Sequence, residues 1–393
     1  MRIRNIVLLI ILNAICGSEA YTQNQVGLTF GGPQNDRGVH VIKTSDNYLL
    51  VVGVTEVQSK DENVFVVKTD LNGKKIWEKN FGGDKNDVGW DIVETDGGKN
   101  YLISGWSESY SKEGDEDILL LKISRDGNLI WTKTLPGKGN ERCWSITKLK
   151  DGNFILTGQT QNITDRIMNG LITKIDKGGN VMWQKKYGEA KYNRLFYSEE
   201  TYAGEIFVSG IQRKDSASEN NGLILLLDKS GLQKRTVILS SVKNITTHGI
   251  LKISGNEILI YGYAQTDTAI NQRAIYFSMF DGKGNLKWEK VTDEKDSENH
   301  GIGAILTASG SIILTGYSRH LNAKTWDGII YKFSRQGEML WRKLFGGSNS
   351  DQPYSLAEIS KNEFMVTGLT RSFGVGGADL WLVKFNEKGE AIN

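Results

Sequence analysis

The chain has 393 residues, 39% of them hydrophobic and 24% charged, with a formal net charge of +2. That balance allows a large buried core and excludes a chain drawn to nucleic acid or an anionic membrane by bulk charge. Glycine is abundant at 45 and proline scarce at 3, beside 10 tryptophans and 14 tyrosines, as expected of many tight turns between aromatic and β-branched strands.

The first twenty residues read as a secretory leader. Arg2 and Arg4 give a basic start, Ile6 to Ile15 an apolar run, and Ser18-Glu19-Ala20 the small residues that place cleavage after Ala20. The apolar run falls short of the roughly 20 residues that span a bilayer. Cys16 raises the option of a lipid-modified cysteine, but Ile15 stands where a lipobox has a small residue, so a free leader is the expectation. The mature chain is then secreted, periplasmic or at the cell surface. It keeps only Cys143, beside Trp144, which can form no internal disulfide and suits a buried thiol.

Residues 21–393 are expected to form a single repeat domain. A glycine closes an apolar strand at Gly53, Gly105, Gly158, Gly210, Gly262, Gly316 and Gly368, and a second ladder runs through Gly73, Gly127, Gly179, Gly231, Gly284, Gly337 and Gly389. Each unit reads as four strands, A to D. In the second unit these are VGWDIVET, NYLISGW, DILLLKIS and NLIWTKT. The A–B and C–D links are short Gly turns of the kind that join hairpins. The B–C link is longer and differs in every unit. Strand C is apolar nearly throughout, as when both its faces are covered. A four-stranded meander repeated every 50 or so residues is the signature of a β-propeller, and seven units predict seven blades. The last unit stops too early for its outer strand. Gln25 to Phe30 is expected to supply it and close the ring, with Val26 in the tryptophan position, which hides an open edge.

The C–D turns read KTDLNGKKIW, KISRDGNLIW, KIDKGGNVMW, MFDGKGNLKW and KFSRQGEMLW, placing Trp77, Trp131, Trp183, Trp288 and Trp341 four residues after a Gly. This resembles the Trp-docking repeat of pyrroloquinoline-quinone-type propellers, in which the Trp of one blade packs on its neighbour. It resembles still more the repeat propellers of secreted bacterial proteins. The resemblance covers nearly all of the mature chain and implies architecture. The adjacent Cys pair of the quinoprotein enzymes is missing, and Lys68, Lys122, Lys174, Lys332 and Lys384 stand where their repeat has Ala, so no cofactor is expected. Arg235 replaces the docking Trp of the fourth unit.

In a meander propeller the D–A and B–C links share one face. That variable face is where binding is expected. At the start of strand A the aligned residues are Asp36, Asp87, Glu141, Asn193, Thr246, Glu298 and Asp351, with His248 and His300 two positions on in units five and six. Carboxylates with imidazoles suit a cation or acid–base work. Repetition in every blade favours the capping of each residue's own Gly-Gly turn, since active sites are rarely sevenfold, and the two histidines that break the pattern are the better functional candidates. A second column, Asn63, Asp117, Asn169, Asn221, Arg273, Asp327 and Asp379, is expected to cap the turn into strand C. Loop aromatics Tyr110, Trp326 and Phe373 offer stacking surfaces. No nucleophile elbow, zincin motif, P-loop or dinucleotide fingerprint stands in a supporting context. The binding candidates are therefore His248, His300, Asp87, Glu141, Glu298, Asp351, Trp326 and Tyr110, with no catalytic residue assigned and the metal question open. The expectation is a monomeric, non-catalytic platform for a protein or glycan. A propeller lyase or glycosidase using the two histidines is the alternative, and a subunit of an envelope assembly machine a further one.

Overall fold

The computed structural model describes residues 26–57, 61–215, 218–253, 256–267 and 272–392. The expected leader, with Cys16 and the cleavage point, lies outside the described residues. The described chain is all β. After the short β1 (Leu28–Phe30) come β2 (Asp36–Lys43), β3 (Leu49–Glu56), β4 (Glu62–Thr69) and β5 (Lys75–Phe81), paired in that order. The same antiparallel meander follows in β6 (Asp87–Thr95), β7 (Asn100–Ser107), β8 (Asp117–Ser124) and β9 (Leu129–Leu135). It follows again in β10 (Gly139–Lys148), β11 (Phe154–Asn162), β12 (Met168–Ile175) and β13 (Val181–Tyr187), and in β14 (Tyr192–Glu200), β15 (Ile206–Arg213), β16 (Asn221–Leu227) and β17 (Gln233–Leu239). Next are β18 (Lys243–Lys252), β19 (Ile258–Asp267), β20 (Gln272–Phe280) and β21 (Leu286–Val291), then β22 (Ser297–Leu306), β23 (Ile312–His320), β24 (Asp327–Phe333) and β25 (Met339–Phe345). The last group is β26 (Asp351–Ser360), β27 (Glu363–Thr370), β28 (Asp379–Phe385) and the two-residue β29 (Ala391–Ile392).

The sheets stack face on face, and their apolar strands form the core between them. Leu50, Val52, Val64 and Val66 of the first meander pack on Ile92, Ile103, Leu119 and Leu121 of the second. The ends of the chain meet in the same way. Val41, Val51 and Phe65 share a core with Ala357, Met365 and Leu380, and β1 pairs antiparallel with β28 over Leu28↔Leu382, Thr29↔Trp381 and Phe30↔Leu380. Trp381 Nε1 donates to the Val26 carbonyl at 2.6 Å. Val26 does not take the tryptophan's part: the side chain that reaches the next turn is Leu28, whose Cδ1 lies 2.4 Å from where a Gly73 Cβ would be.

The two glycine ladders answer to different demands. Gly73, Gly127, Gly179, Gly231, Gly284, Gly337 and Gly389 have φ between 73° and 86°, the left-handed region that favours Gly in a turn. Most also receive the indole from the meander before. A Cβ on Gly127 would lie 3.1 Å from Trp77, on Gly179 2.8 Å from Trp131, on Gly231 2.8 Å from Trp183, on Gly337 3.2 Å from Trp288 and on Gly389 2.5 Å from Trp341. Arg235 lays its stem on Gly284 at 3.1 Å instead. Three lysines of the column are held at A–B turns, Lys122 by Asp96 at 2.8 Å, Lys174 by Asp151 at 2.9 Å and Lys68 by Asp46 at 3.3 Å, whereas Lys332 reaches Glu387 in the turn after β28 at 3.3 Å.

Candidate functional site

The first glycine ladder is a demand for space. In every meander the first strand carries a β-bulge opposite this Gly, with register shifts at Gly38/His40, Gly89/Asp91, Cys143/Ser145, Leu195/Tyr197, Thr247/Gly249, Gly301/Gly303 and Pro353/Ser355. The bulged backbone presses on the second strand. A Cβ on Gly53, Gly105, Gly158, Gly210, Gly262, Gly316 or Gly368 would stand 1.7–2.2 Å from a carbonyl oxygen of its first strand, so only hydrogen fits.

A bulge leaves one residue out of the ladder and re-aims its side chain. The residues so released are Val39, Trp90, Trp144, Phe196, His248, Ile302 and Tyr354. All line one cavity of about 570 Å³, together with Arg37, Arg194, Asn220, Thr246, Tyr263 and Tyr317. Its rings form a belt. Trp90 meets Trp144 edge-on at 4.7 Å, Trp144 meets Phe196 at 6.4 Å, Phe196 stacks on His248 at 5.6 Å, and Tyr263 joins His248 at 5.5 Å to His300 at 4.2 Å. The bulged residues lie near the middle of their strands, while Arg37, Arg194 and Asn220 of the lining stand toward the strand ends that the variable loops run into.

His248 belongs to the cavity wall, and its ring contacts are Phe196 and Tyr263. Burial first, and then the neighbouring His300, push its pKa down to about 3, so it is a neutral ring at ordinary pH. His300 is 6% exposed and stacks on Tyr317 at 4.8 Å. Its Nε2 lies 3.2 Å from Glu298 Oε1 and 3.1 Å from Arg273 Nη1; a neutral ring nitrogen serves one of the two as donor or acceptor, not both. Burial lowers its pKa too, against the pull of Glu298. Arg273 donates to Glu298 Oε1 at 2.7 Å, and Arg319 donates to Oε2 through Nε at 2.9 Å and Nη2 at 2.6 Å. Burial works against the Glu298 carboxylate, but the bonds from His300 and Arg319 outweigh it and hold the pKa at about 2. Trp326 covers this cluster, 5.2 Å from His300 and 4.4 Å below the Arg319 guanidinium.

The remaining acids face their own turns. Asp87 accepts from Gly83 N at 2.7 Å and Ser109 Oγ at 2.6 Å, and Asp351 from Gly347 N at 2.7 Å and Thr370 Oγ1 at 2.5 Å. Asp36 accepts from Gly32 N at 2.8 Å. Glu141 accepts from Thr160 Oγ1 at 2.5 Å while its Oε2 is buried without a partner; burial raises its pKa to about 7. Tyr110 is exposed on its loop and makes no part of the cavity wall. The structure thus puts His248 in the cavity wall, joins His300, with Glu298 and Trp326 around it, to that wall through Tyr263, and places Asp87, Glu141 and Asp351 beneath the turns.

The aligned column needs one correction. Asp36, Asp87, Glu141, Asn193 and Asp351 pair with the residue two after their ladder Gly, whereas Thr246 pairs with Tyr263, one after, and Glu298 with Arg319, three after. The true member in the sixth meander is Asn299, which accepts from Ser318 Oγ at 2.6 Å. His248 and His300 therefore sit in different columns: His248 is a bulged residue, and His300 pairs with Tyr317. Sequence reading missed Trp90, Trp144, Phe196, Tyr354 and Arg194. The available signal was distance, since each bulged residue stands 14 or 15 places before a ladder Gly. Among the described residues no group of three or more His, Cys, Asp or Glu side chains is arranged to hold a metal ion, and no helix is long and apolar enough to cross a membrane.

No family model and no curated sequence matches the chain. Solved structures do match. The β-propeller domain of the trilobed protease from Pyrococcus furiosus has a TM-score of 0.53 at 12% identity, covering 91% of this chain and 97% of that one. A PL25 ulvan lyase has a TM-score of 0.57 at 10% identity, covering 92% and 96%. Puromycin hydrolase has a TM-score of 0.61 at 11% identity and covers 94% of this chain, which spans 56% of that protein's length. At these identities the likeness is one of fold, and the chain shares the β-propeller fold.

Proposed function

We propose that this chain is an extracytoplasmic binding propeller, seven-bladed and closed by β1, whose ligand enters the aromatic channel from the variable-loop face. The basic, apolar start of the sequence supports export. The pairing of β1 with β28 and the core shared by the first and last meanders support closure. The observation that carries the function is the convergence of all the bulged residues on one cavity. Five of them are aromatic or imidazole rings, a surface that offers contact area at low entropy cost. Glu298 and His300 are tied to each other and to Arg273 and Arg319, which suits a rigid rim better than proton transfer.

The rival is a carbohydrate-active enzyme. One observation favours it: His248 stands in the cavity wall, held between the rings of Phe196 and Tyr263. The deciding experiment screens the purified protein on a glycan and protein array, then repeats the screen with Trp144→Ala/Phe196→Ala. A platform loses its ligand in that variant, keeps a cooperative melt and turns over no bound glycan. Turnover that vanishes in His248→Ala would establish the enzyme instead.

A further inference from the structure

Three first strands carry an arginine two residues before the bulged residue: Arg37 before Val39, Arg142 before Trp144 and Arg194 before Phe196. Two of them are neutralised. Arg37 donates to Glu62 at 2.7 and 3.1 Å, and Arg142 to Glu116 at 2.5 Å through both Nε and Nη2. One meander on from Glu116, the same place is held by Met168, which is 3% exposed. Arg194 Nε meets its sulfur at 3.1 Å, and no carboxylate accepts from Arg194 among the described residues. A thioether is a weak acceptor that carries no charge. Burial, and then the charges of Arg213 and Arg142, disfavour the charged guanidinium, so the surroundings add positive potential where a counter-charge is missing.

The arginine left without a carboxylate is on the cavity wall, whereas Met168 is not. Arg194 lines it beside Trp144, Phe196 and His248. On the same wall and in the same meander, Asn220 donates to Thr246 Oγ1 at 3.1 Å, while its Oδ1 is buried without a partner. The wall thus offers a planar cationic fork, flat apolar faces and an orphan acceptor. We propose that the channel binds an acidic oligosaccharide, with a sugar carboxylate or sulfate paired to Arg194 and the adjoining ring laid on Trp144 and Phe196. This rests on the binding-channel reading above. The guanidinium fork matches either oxyanion, the apolar face of a sugar ring fits an indole, and a hydroxyl can donate to Asn220 Oδ1. An extended peptide would look for an open strand edge, and side chains make up this lining.

The test is calorimetric titration at low salt with trigalacturonate, its methyl ester, a sulfated galactose trisaccharide and an aspartate-rich peptide. The protein is compared with Arg194→Met and with Met168→Glu, which rebuilds the pair seen at Arg142–Glu116 and so guards against a variant that fails to fold. Both changes should weaken the acidic sugar about tenfold or more, as for a charge-assisted pair, and leave the weaker methyl ester unmoved. Whichever of trigalacturonate and the sulfated sugar responds to both changes identifies the oxyanion. The proposal is overturned if the acidic sugars bind both variants as tightly as the parent, or if only the peptide binds. Equal binding of acid and ester, lost together in Trp144→Ala, would remove the acidic specificity and leave the channel standing. No binding of any sugar or of the peptide, with no hit on the glycan and protein array, would remove both.

Discussion

The ladder glycines make a sharp test of how the channel is built, and Gly158 is the best placed. A Cβ there would stand 1.9 Å from Arg142 O, against an ordinary contact of 3.4 Å or more. The β10 backbone must retreat by about 1.5 Å, nearly half the spacing that separates residues along a strand, and it is backbone, not a flexible side-chain end, that has to move. Overpacking of a filled site costs about 1–3 kcal/mol, and Gly158→Ala belongs at the top of that range because the bulge at Cys143/Ser145 must flatten. Flattening re-pairs Trp144 and withdraws it from Trp90 and Phe196. Urea unfolding should therefore show a loss of about 3 kcal/mol, with a changed tryptophan emission of the folded state. Gly32→Ala is the control, since a Cβ there meets nothing within 4 Å; it should stay within about 0.5 kcal/mol. Equal stabilities for the two variants would refute the argument that the ladder exists to make room for the bulge.

Two further outcomes are expected. Glu141 has its folded pKa raised to about 7 from 4.5, so the folded state holds a proton that the unfolded chain gives up. Stability from this group is complete below about pH 4.5 and falls as pH rises to about 7, by roughly 3 kcal/mol; Glu141→Gln should remove that slope in urea melts taken across the window. Glu298, held at about 2, acts in the opposite sense and loses its contribution as pH falls from 4.5 toward 2. Deleting residues 26–30 would strip Leu28 from the Gly73 turn and the Val26 carbonyl from Trp381, leaving β28 with an open edge. The melting temperature should drop by several degrees or more, and an unchanged melt would sink the closure proposal.

What the sequence made legible follows from what was forced. The second ladder and the tryptophans recur because a positive φ and a flat face are needed at each turn, and few residues satisfy both. The first ladder recurs because a carbonyl leaves no room for Cβ. Period, strand order and the pairing of the N-terminal segment with the last meander could all be read from these. The cavity could not, because no one chemistry runs through all seven bulged residues: five carry rings, Val39 and Ile302 are aliphatic, and only the offset from a Gly is common to all. The slip at Thr246 and Glu298 has the same root. Matching by polarity selects the nearest polar residue, whereas the pairing with Ser318 selects Asn299. Counting back from Gly316 would have found it.

That lack of shared chemistry is itself informative about function. A residue paired in a ladder is constrained by its cross-strand neighbour, and one packed between sheets by the volume around it. A bulged residue facing a cavity escapes both constraints. Each ladder Gly weakens its strand by about 0.5–1 kcal/mol relative to Ala, and the repeat bears that cost to hold open positions whose side chains the fold does not dictate. Arg194 extends the same logic by one residue. Its counterparts Arg37 and Arg142 are neutralised, the first by Glu62 of its own meander and the second by Glu116 of the meander before, so the architecture accommodates a carboxylate at the place Met168 occupies. Packing alone does not require a methionine there, because two other meanders fold with a glutamate. The difference lies in what remains available to a ligand: with glutamate the guanidinium is spoken for, and with methionine its charge faces the channel.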